Sequence, residues 1–199
     1  VLSDMDLSAL LQRHHEESNL VTLAVYDDKR FNTILIDEYD LFVGLQQNTF
    51  TYPRHLHMRT FTGIAVYEPE FLDFIFQNIS PVTIAWQNAQ KAGHRIGTYD
   101  ISNTFWSDIG TPEAYAKALF DLLRKDGEMV YFNSASCGCA TSRYDGYVVI
   151  EKGAEISESK ISNSIVLNNC NIQGQDLHNM IVYPGGMLNF LHTSPLSSP

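Results

Sequence analysis

One stretch of the chain combines residue types that could hold a metal ion beside a phosphorylated ligand. It reads Phe105-Trp-Ser-Asp-Ile-Gly-Thr-Pro-Glu-Ala-Tyr115, with Asp108 at the end of a predicted strand, Gly110 in a turn and Thr111 as a helix cap. In α/β sheets the carboxyl ends of strands form the ligand crevice, and a lone carboxylate there suits Mg²⁺ held largely by phosphates and water. The residues alone equally allow Asp108 to be a turn residue that accepts hydrogen bonds from the backbone.

The histidines are weaker candidates for chemistry. His14 and His15 are adjacent on a predicted helix, and adjacent residues do not share a helical face, so we expect a solvated surface pair. His55 and His57 alternate as on one face of a strand and could form half of a metal site. Because Pro53 lies close by, the sequence favours a loop there.

Composition and charge exclude several function classes. The 199 residues are 44% hydrophobic and 18% charged, which excludes disorder, and no apolar run is long enough for a membrane helix. The net charge of −10, without a basic cluster, argues against nucleic-acid binding. Cys137, Cys139 and Cys170 are too few for a disulfide framework, and a Cys-x-Cys metal pair would need two more ligands. We expect reduced thiols in a cytoplasmic protein.

The first part of the chain alternates strands with helices, which predicts an α/β layer architecture. Apolar spacing and caps place helices over residues 7–17, 68–76, 81–92 and 111–124. Strands are predicted over residues 20–26, 33–36, 41–45, 59–67, 95–101 and 104–109, with a hairpin loop at 37–40. The strand at 20–26 is apolar throughout, as expected for one that is buried on both faces of a parallel or mixed sheet.

The later part of the chain shows a different period. From Tyr147 onward, apolar residues recur about every five or six positions, and Ile150-x-x-Gly-Ala154-x-Ile156 resembles a hexapeptide repeat of the left-handed β-helix. A run of ordinary antiparallel strands is the alternative. The predicted domains are residues 1–125, a linker at 126–146, a β-helix at 147–193 and a tail at 194–199.

The stretch around Asp108 resembles the carboxyl-terminal signature of the sugar-phosphate nucleotidyltransferases, the NDP-sugar pyrophosphorylases. Val1-Leu-Ser-Asp-Met-Asp-Leu-Ser-Ala-Leu-Leu11 resembles the segment that follows this family's metal motif. Thr60-Phe-Thr-Gly-Ile-Ala-Val-Tyr-Glu-Pro-Glu70 resembles its sugar-pocket strand and helix. The resemblance covers nearly the whole chain and is closest to guanylyl- and uridylyltransferases that act on mannose-, glucose- or N-acetylmuramate-type 1-phosphates.

The resemblance implies a partial Rossmann-like nucleotidyltransferase sheet followed by β-helix coils. It implies a reaction between a nucleoside triphosphate and a sugar 1-phosphate that yields an NDP-sugar and pyrophosphate. Asp108 would be catalytic and bind Mg²⁺ with a second aspartate located before Val1. Thr62 and Gly63 would lie against the sugar, with Gly63 a pocket glycine rather than a β-bulge glycine, and Trp106 would wall the pocket.

The sequence also departs from the family pattern. The Gly-rich loop, its Arg and the following Lys that hold the triphosphate have no match, so we expect a fragment that is inactive alone. The cation expected before the sugar-pocket strand is replaced by Gln46 and Gln47, and Arg54 or Arg59 would have to supply the charge.

Two other functions remain open from the sequence. Hexapeptide β-helices also build acyltransferases, in which His178 or His192 would act as general base. The two glutamines favour a non-catalytic regulatory relative that binds an NDP-sugar. A homo-oligomer is compatible with either function.

Overall fold

The computed structural model describes residues 1–46, 55–76, 80–133 and 141–191, together with the backbone of residues 137 and 138. The chain divides into two compact units between Trp106 and Ser107. This division lies earlier than the predicted boundary at residue 125, so the helix that follows Thr111 belongs to the second unit. Among the described residues, no helix is long and apolar enough to cross a membrane.

The first unit contains a five-stranded mixed sheet with helices packed on it. The strand order is β4-β3-β5-β2-β6, and β2 pairs antiparallel with β5 and parallel with β6. The elements of this unit are β1 (Leu2–Ser3), α1 (Leu7–Glu17), β2 (Val21–Tyr26), β3 (Ile34–Ile36), β4 (Phe42–Leu45), β5 (His57–Tyr67), a 3₁₀ helix (Pro69–Phe74), α2 (Val82–Lys91), β6 (Ile96–Asp100) and β7 (Trp106–Ser107), within which the boundary lies. This arrangement is compatible with the predicted α/β class.

Local signals account for the ends of these elements. The carboxylate of Asp6 accepts hydrogen bonds from the backbone N–H groups of Ser8 and Ala9 and so starts α1. The segment predicted as an α-helix over residues 68–76 is instead a 3₁₀ helix. The segment ends at Phe74, because Ile75 is extended, and helical pieces this short often adopt 3₁₀ geometry.

In its described residues, the second unit contains one helix and nine short strands. Its helix begins with Thr111, whose hydroxyl accepts the N–H of Ala114, and ends with Gly127 in the left-handed conformation. The elements are α3 (Pro112–Asp126), β8 (Val130–Phe132), β9 (Cys137–Gly138), β10 (Arg143–Ile150), β11 (Glu155–Ser157), β12 (Lys160–Val166), β13 (Asn171–Gln173), β14 (Asp176–His178), β15 (Met180–Tyr183) and β16 (Gly186–Asn189). The predicted linker at 126–146 therefore contains β8, β9 and the start of β10.

The strands of the second unit stack in parallel. β8, β10, β12 and β15 pair side by side, as do β9, β11 and β13, and among the described strands of this unit only β16 runs antiparallel to its neighbour. Ile156 lies opposite Ile172, 16 positions further along the chain. The alternative of ordinary antiparallel strands is therefore wrong for this stack, while the left-handed β-helix stays a prediction.

Residues in the left-handed backbone conformation recur at intervals of 16 or 17 residues. They form three series, which are Gly146, Asn163 and Asn179; Gly153, Asn169 and Gly185; and Glu158 and Gly174. Glycine and asparagine adopt this conformation at the lowest cost, which explains most of these choices. The chain thus bends at equivalent positions in successive repeats.

Candidate functional site

A β-bulge in the first unit forms the centre of the candidate site. β5 pairs with β2 through Leu23 and Ala65, and the register then shifts, so that Thr62 to Ile64 bulge opposite Ala24. Thr62 is buried, and its hydroxyl donates to the Ala24 carbonyl at 2.8 Å and accepts the Ile64 N–H at 3.3 Å. The Thr62 side chain therefore stabilises the bulge rather than facing solvent.

Gly63 is exposed at the tip of this bulge, with a φ of 84°. Side chains rarely adopt this conformation, so the backbone itself accounts for a glycine here. A Cβ at this position would meet the side chain of Val1 at 3.5 Å, an ordinary contact. The structure therefore supports the β-bulge interpretation of Gly63 over the pocket-glycine interpretation, and contact of Gly63 with a sugar stays a prediction.

Trp106 joins the bulge from the last part of the first unit. Its indole N–H donates to the carbonyl of Thr62 at 3.1 Å, and its ring lies 5.3 Å from the ring of Tyr26, centroid to centroid. Trp106 is half-buried. The fold thus brings together three of the four predicted site residues, Thr62, Gly63 and Trp106. Tyr26 was missed, although an aromatic residue at the carboxyl end of a buried strand was a usable signal.

Asp108 is exposed in the second unit, directly after β7. One of its carboxylate oxygens accepts the Gly110 N–H at 3.1 Å, as the turn interpretation expects. The described residues contain no group of three His, Cys, Asp or Glu side chains that could hold a metal ion. A lone exposed carboxylate fits only a Mg²⁺ ion held mainly by phosphates and water, and this metal role stays a prediction.

His14 corrects the expectation of a solvated histidine pair. It is 1% exposed, with Nδ1 at 2.9 Å from the Thr22 hydroxyl and Nε2 at 3.0 Å from a Glu68 carboxylate oxygen. Only His15 is exposed, as expected. His14 lies four residues after buried Leu10, and this spacing places both on the helix face that packs on the sheet. That spacing was the available signal in the sequence.

The other histidines do not form a site within the described residues. His55 is exposed in a turn, and exposed His57 begins β5, so the loop interpretation holds for the first of the two only. His178 is exposed on β14, with its Nδ1 2.7 Å from the hydroxyl of Ser162. His192 lies outside the described residues.

Arg59 is one of the two arginines expected to supply the positive charge that Gln46 and Gln47 lack. Its Nε donates to the carboxylate of Asp100 at 3.2 Å, and an Nη donates to the carbonyl of Met58. Burial alone would raise the pKa of Asp100, but hydrogen bonds from Ser102 and the guanidinium of Arg59 outweigh burial and lower it. The positive charge of Arg59 is therefore already paired.

The structure describes only some of the other residues that the sequence singles out. Gln46 is exposed, and its backbone N–H donates to the carbonyl of Thr33. Gln47 and Arg54 lie outside the described residues, as do Cys139 and the side chain of Cys137, so the Cys-x-Cys metal pair stays untested. Cys170 is a buried free thiol whose pKa is raised by burial and by the charge of Glu151.

Comparison with known proteins agrees with the resemblance at a coarse level. No protein-family model matches the chain. The chain is similar to a mannose-1-phosphate guanylyltransferase. That enzyme, from Mycobacterium tuberculosis (strain ATCC 25618 / H37Rv), is 24% identical over 195 residues, an alignment that covers 87% of this chain. The chain spans about half of the relative, 52% of its length. This similarity supports a distant relationship to sugar-phosphate nucleotidyltransferases.

Proposed function

We propose that the chain is the sugar-phosphate-binding part of a nucleotidyltransferase. The observation that carries the proposal is the meeting of Thr62 and Trp106, which lie 44 residues apart in the sequence and join through one hydrogen bond. The resemblance assigns both residues to the sugar pocket. The similarity to a mannose-1-phosphate guanylyltransferase supports the same assignment and makes a hexose 1-phosphate the first ligand to test.

In the proposed reaction, a phosphate oxygen of the sugar 1-phosphate attacks the α-phosphorus of a nucleoside triphosphate. A new P–O bond forms there while the bond to the β-phosphate breaks, and pyrophosphate leaves. The bulge at Gly63 and the indole of Trp106 would bind and orient the sugar, so that the attacking oxygen is positioned before reaction. Asp108 would supply one carboxylate to Mg²⁺, which neutralises phosphate charge when bound.

Turnover needs groups that this sequence does not match. The resemblance assigns the triphosphate to a Gly-rich loop with an Arg and a following Lys, and no segment of the 199 residues has this pattern. We therefore expect the 199-residue chain to bind a sugar 1-phosphate without releasing pyrophosphate from a nucleoside triphosphate. Chelator-sensitive pyrophosphate release by the pure chain would contradict this expectation.

Isothermal titration with mannose 1-phosphate tests the binding function, with mannose as the ligand that lacks the phosphate. We expect saturable binding of the phosphate ester, and weaker binding after Trp106→Leu. Absence of binding by the wild-type chain would refute the proposal. Glucose 1-phosphate in a parallel titration measures the preference for the sugar.

A second titration, in Mg²⁺ or in EDTA, tests the role of Asp108. Asp108→Asn keeps a side-chain oxygen that can accept the Gly110 N–H but removes the negative charge. Asp37→Asn is the matched control, since Asp37 also accepts backbone N–H groups in a turn, from Tyr39 and Leu41. We expect the affinity for mannose 1-phosphate to depend on Mg²⁺ in the wild type and in Asp37→Asn, but not in Asp108→Asn. Equal Mg²⁺ dependence in both variants would make Asp108 a turn residue.

A further inference from the structure

The contacts of Trp106 assign a role to a second aromatic residue. The indole is tied to the bulge by one hydrogen bond, from its N–H to the carbonyl of Thr62. That hydrogen bond fixes the indole nitrogen, and the packing of the ring on its neighbours sets the orientation of its plane. The ring of Tyr26, 5.3 Å away and inclined by 34°, restricts that orientation because aromatic pairs have preferred geometries.

Tyr26 is well placed to do this because of the strand that carries it. It is the last residue of β2, and Ala24 lies two positions before it on the same face. The carbonyl of Ala24 accepts the hydroxyl of Thr62, and the carbonyl of Thr62 accepts the indole N–H. The hydrogen bond and the ring contact of Trp106 therefore both lead to one short segment of β2, and the ring also packs on the buried cluster that contains Ala24.

We propose that Tyr26 is a positioning residue, which holds the indole of Trp106 in the plane that receives the apolar C–H face of a hexose ring beside Gly63. This inference rests on the proposed function. Trp106 is half-buried, so part of the residue remains accessible to a ligand. Tyr26 acts through Trp106, and its removal should change the indole orientation and the affinity for the sugar phosphate together.

The test uses the 199-residue chain labelled with 5-fluorotryptophan. The sequence contains two tryptophans, so ¹⁹F NMR gives two resonances, and Trp106→Phe assigns them. Trp86 is fully buried in the core of the first unit and reports whether that unit is folded. Tyr26→Leu removes the ring, and Tyr26→Phe keeps it as the conservative control.

We expect Tyr26→Leu to displace or broaden the Trp106 resonance, leave the Trp86 resonance in place and weaken mannose 1-phosphate binding about fivefold. This factor corresponds to about 1 kcal/mol, a usual value for an aromatic pair. Tyr26→Phe should preserve both the resonance and the affinity. If Tyr26→Leu displaces the Trp86 resonance, the same measurements are made on Tyr26→Met instead, because methionine keeps apolar volume without a ring.

The outcomes separate this inference from the proposed function. If the wild type binds mannose 1-phosphate and Tyr26→Leu binds it equally tightly, the positioning role is overturned and the proposed function stands. A wild-type chain that does not bind mannose 1-phosphate would refute the function. In that case, a displaced Trp106 resonance in Tyr26→Leu would still support control of the indole by Tyr26, and an undisplaced one would overturn both.

Discussion

Replacement of His14 should be the most costly of the single histidine changes in the first unit. Its ring is 1% exposed, and both nitrogens are within hydrogen-bond distance of a partner. A carboxylate oxygen only accepts, so Nε2–H donates to Glu68, and in the neutral ring Nδ1 accepts the hydroxyl hydrogen of Thr22. The Nδ2 of Asn19 also donates to the Thr22 oxygen, at 3.0 Å. His14 thus lies inside a buried polar network.

The magnitude follows from the two bonds and the volume lost. His14→Ala removes both hydrogen bonds. Loss of the buried bond to Thr22 should cost about 1 kcal/mol of stability, and loss of the bond to Glu68 less, because the Glu68 side chain is 42% exposed. Large-to-small replacements in a core cost about 2–5 kcal/mol through lost contacts and a residual cavity. We expect the free energy of unfolding to fall by about 3 kcal/mol. His15→Ala, at the exposed neighbouring position, should change it by less than about 0.5 kcal/mol.

The comparison requires urea unfolding of both variants, followed by tryptophan emission, with the slope on denaturant checked for constancy. Trp86 lies in the core of the same unit, so its emission reports the relevant transition. If His14→Ala were as stable as His15→Ala, the burial of His14 would be wrong. The surface pair expected from the sequence would then be the better description of α1.

Three further predictions concern the backbone and one carboxylate. Gly146→Ala should destabilise by about 2 kcal/mol and Gly174→Ala by about 1 kcal/mol in thermal melts. Both carry left-handed strain, but only at 146 would the Cβ collide with Asn163. Gly63→Ala should lower the melting temperature by about 2–4 °C, and an unchanged or higher value would favour the pocket-glycine interpretation. Because the pKa of Asp100 is lowered on folding, its stabilisation is present above the unfolded pKa near 4 and disappears as pH falls through the folded pKa. Urea unfolding between about pH 5 and pH 2 should therefore show a weaker acid dependence in Asp100→Asn than in the wild type.

Local chemistry made most of the first unit predictable. α1 has the predicted bounds, 7–17, because Asp6 and the leucine spacing mark its start. β2 was recognised as a doubly buried strand from an apolar run, and it pairs in both directions in a mixed sheet. The hairpin of β3 and β4 and the helix capped by Thr111 followed from turn and cap residues. Such signals lie within a few residues of the feature they determine.

Features that depend on distant partners were not predictable in the same way. The bulge at Gly63 exists because β5 and β2 change register, and a glycine inside a strand indicates either a bulge or a close approach. The burial of His14 depends on Thr22 and Glu68, which are 8 and 54 residues away in the sequence. The pattern of α1 suggested which residues share a face, but not that a polar ring on that face would find partners.

The start of the parallel stack shows where a period in the sequence fails. Ile150 lies opposite Val166, 16 residues later, and the same spacing joins Ile156 to Ile172, so apolar side chains stack from one repeat to the next. Toward the amino terminus, Ile150 lies opposite Phe132, 18 residues earlier, and Ile156 lies opposite Gly138. The first repeat is therefore two residues longer and carries a glycine at one stacked position. The apolar spacing seen after residue 147 therefore does not continue into the preceding residues. Parallel pairing aligns strands through their backbones, so the connection between two strands can change in length without disturbing the pairing. This is the physical reason that residues 126–146 had the appearance of a linker.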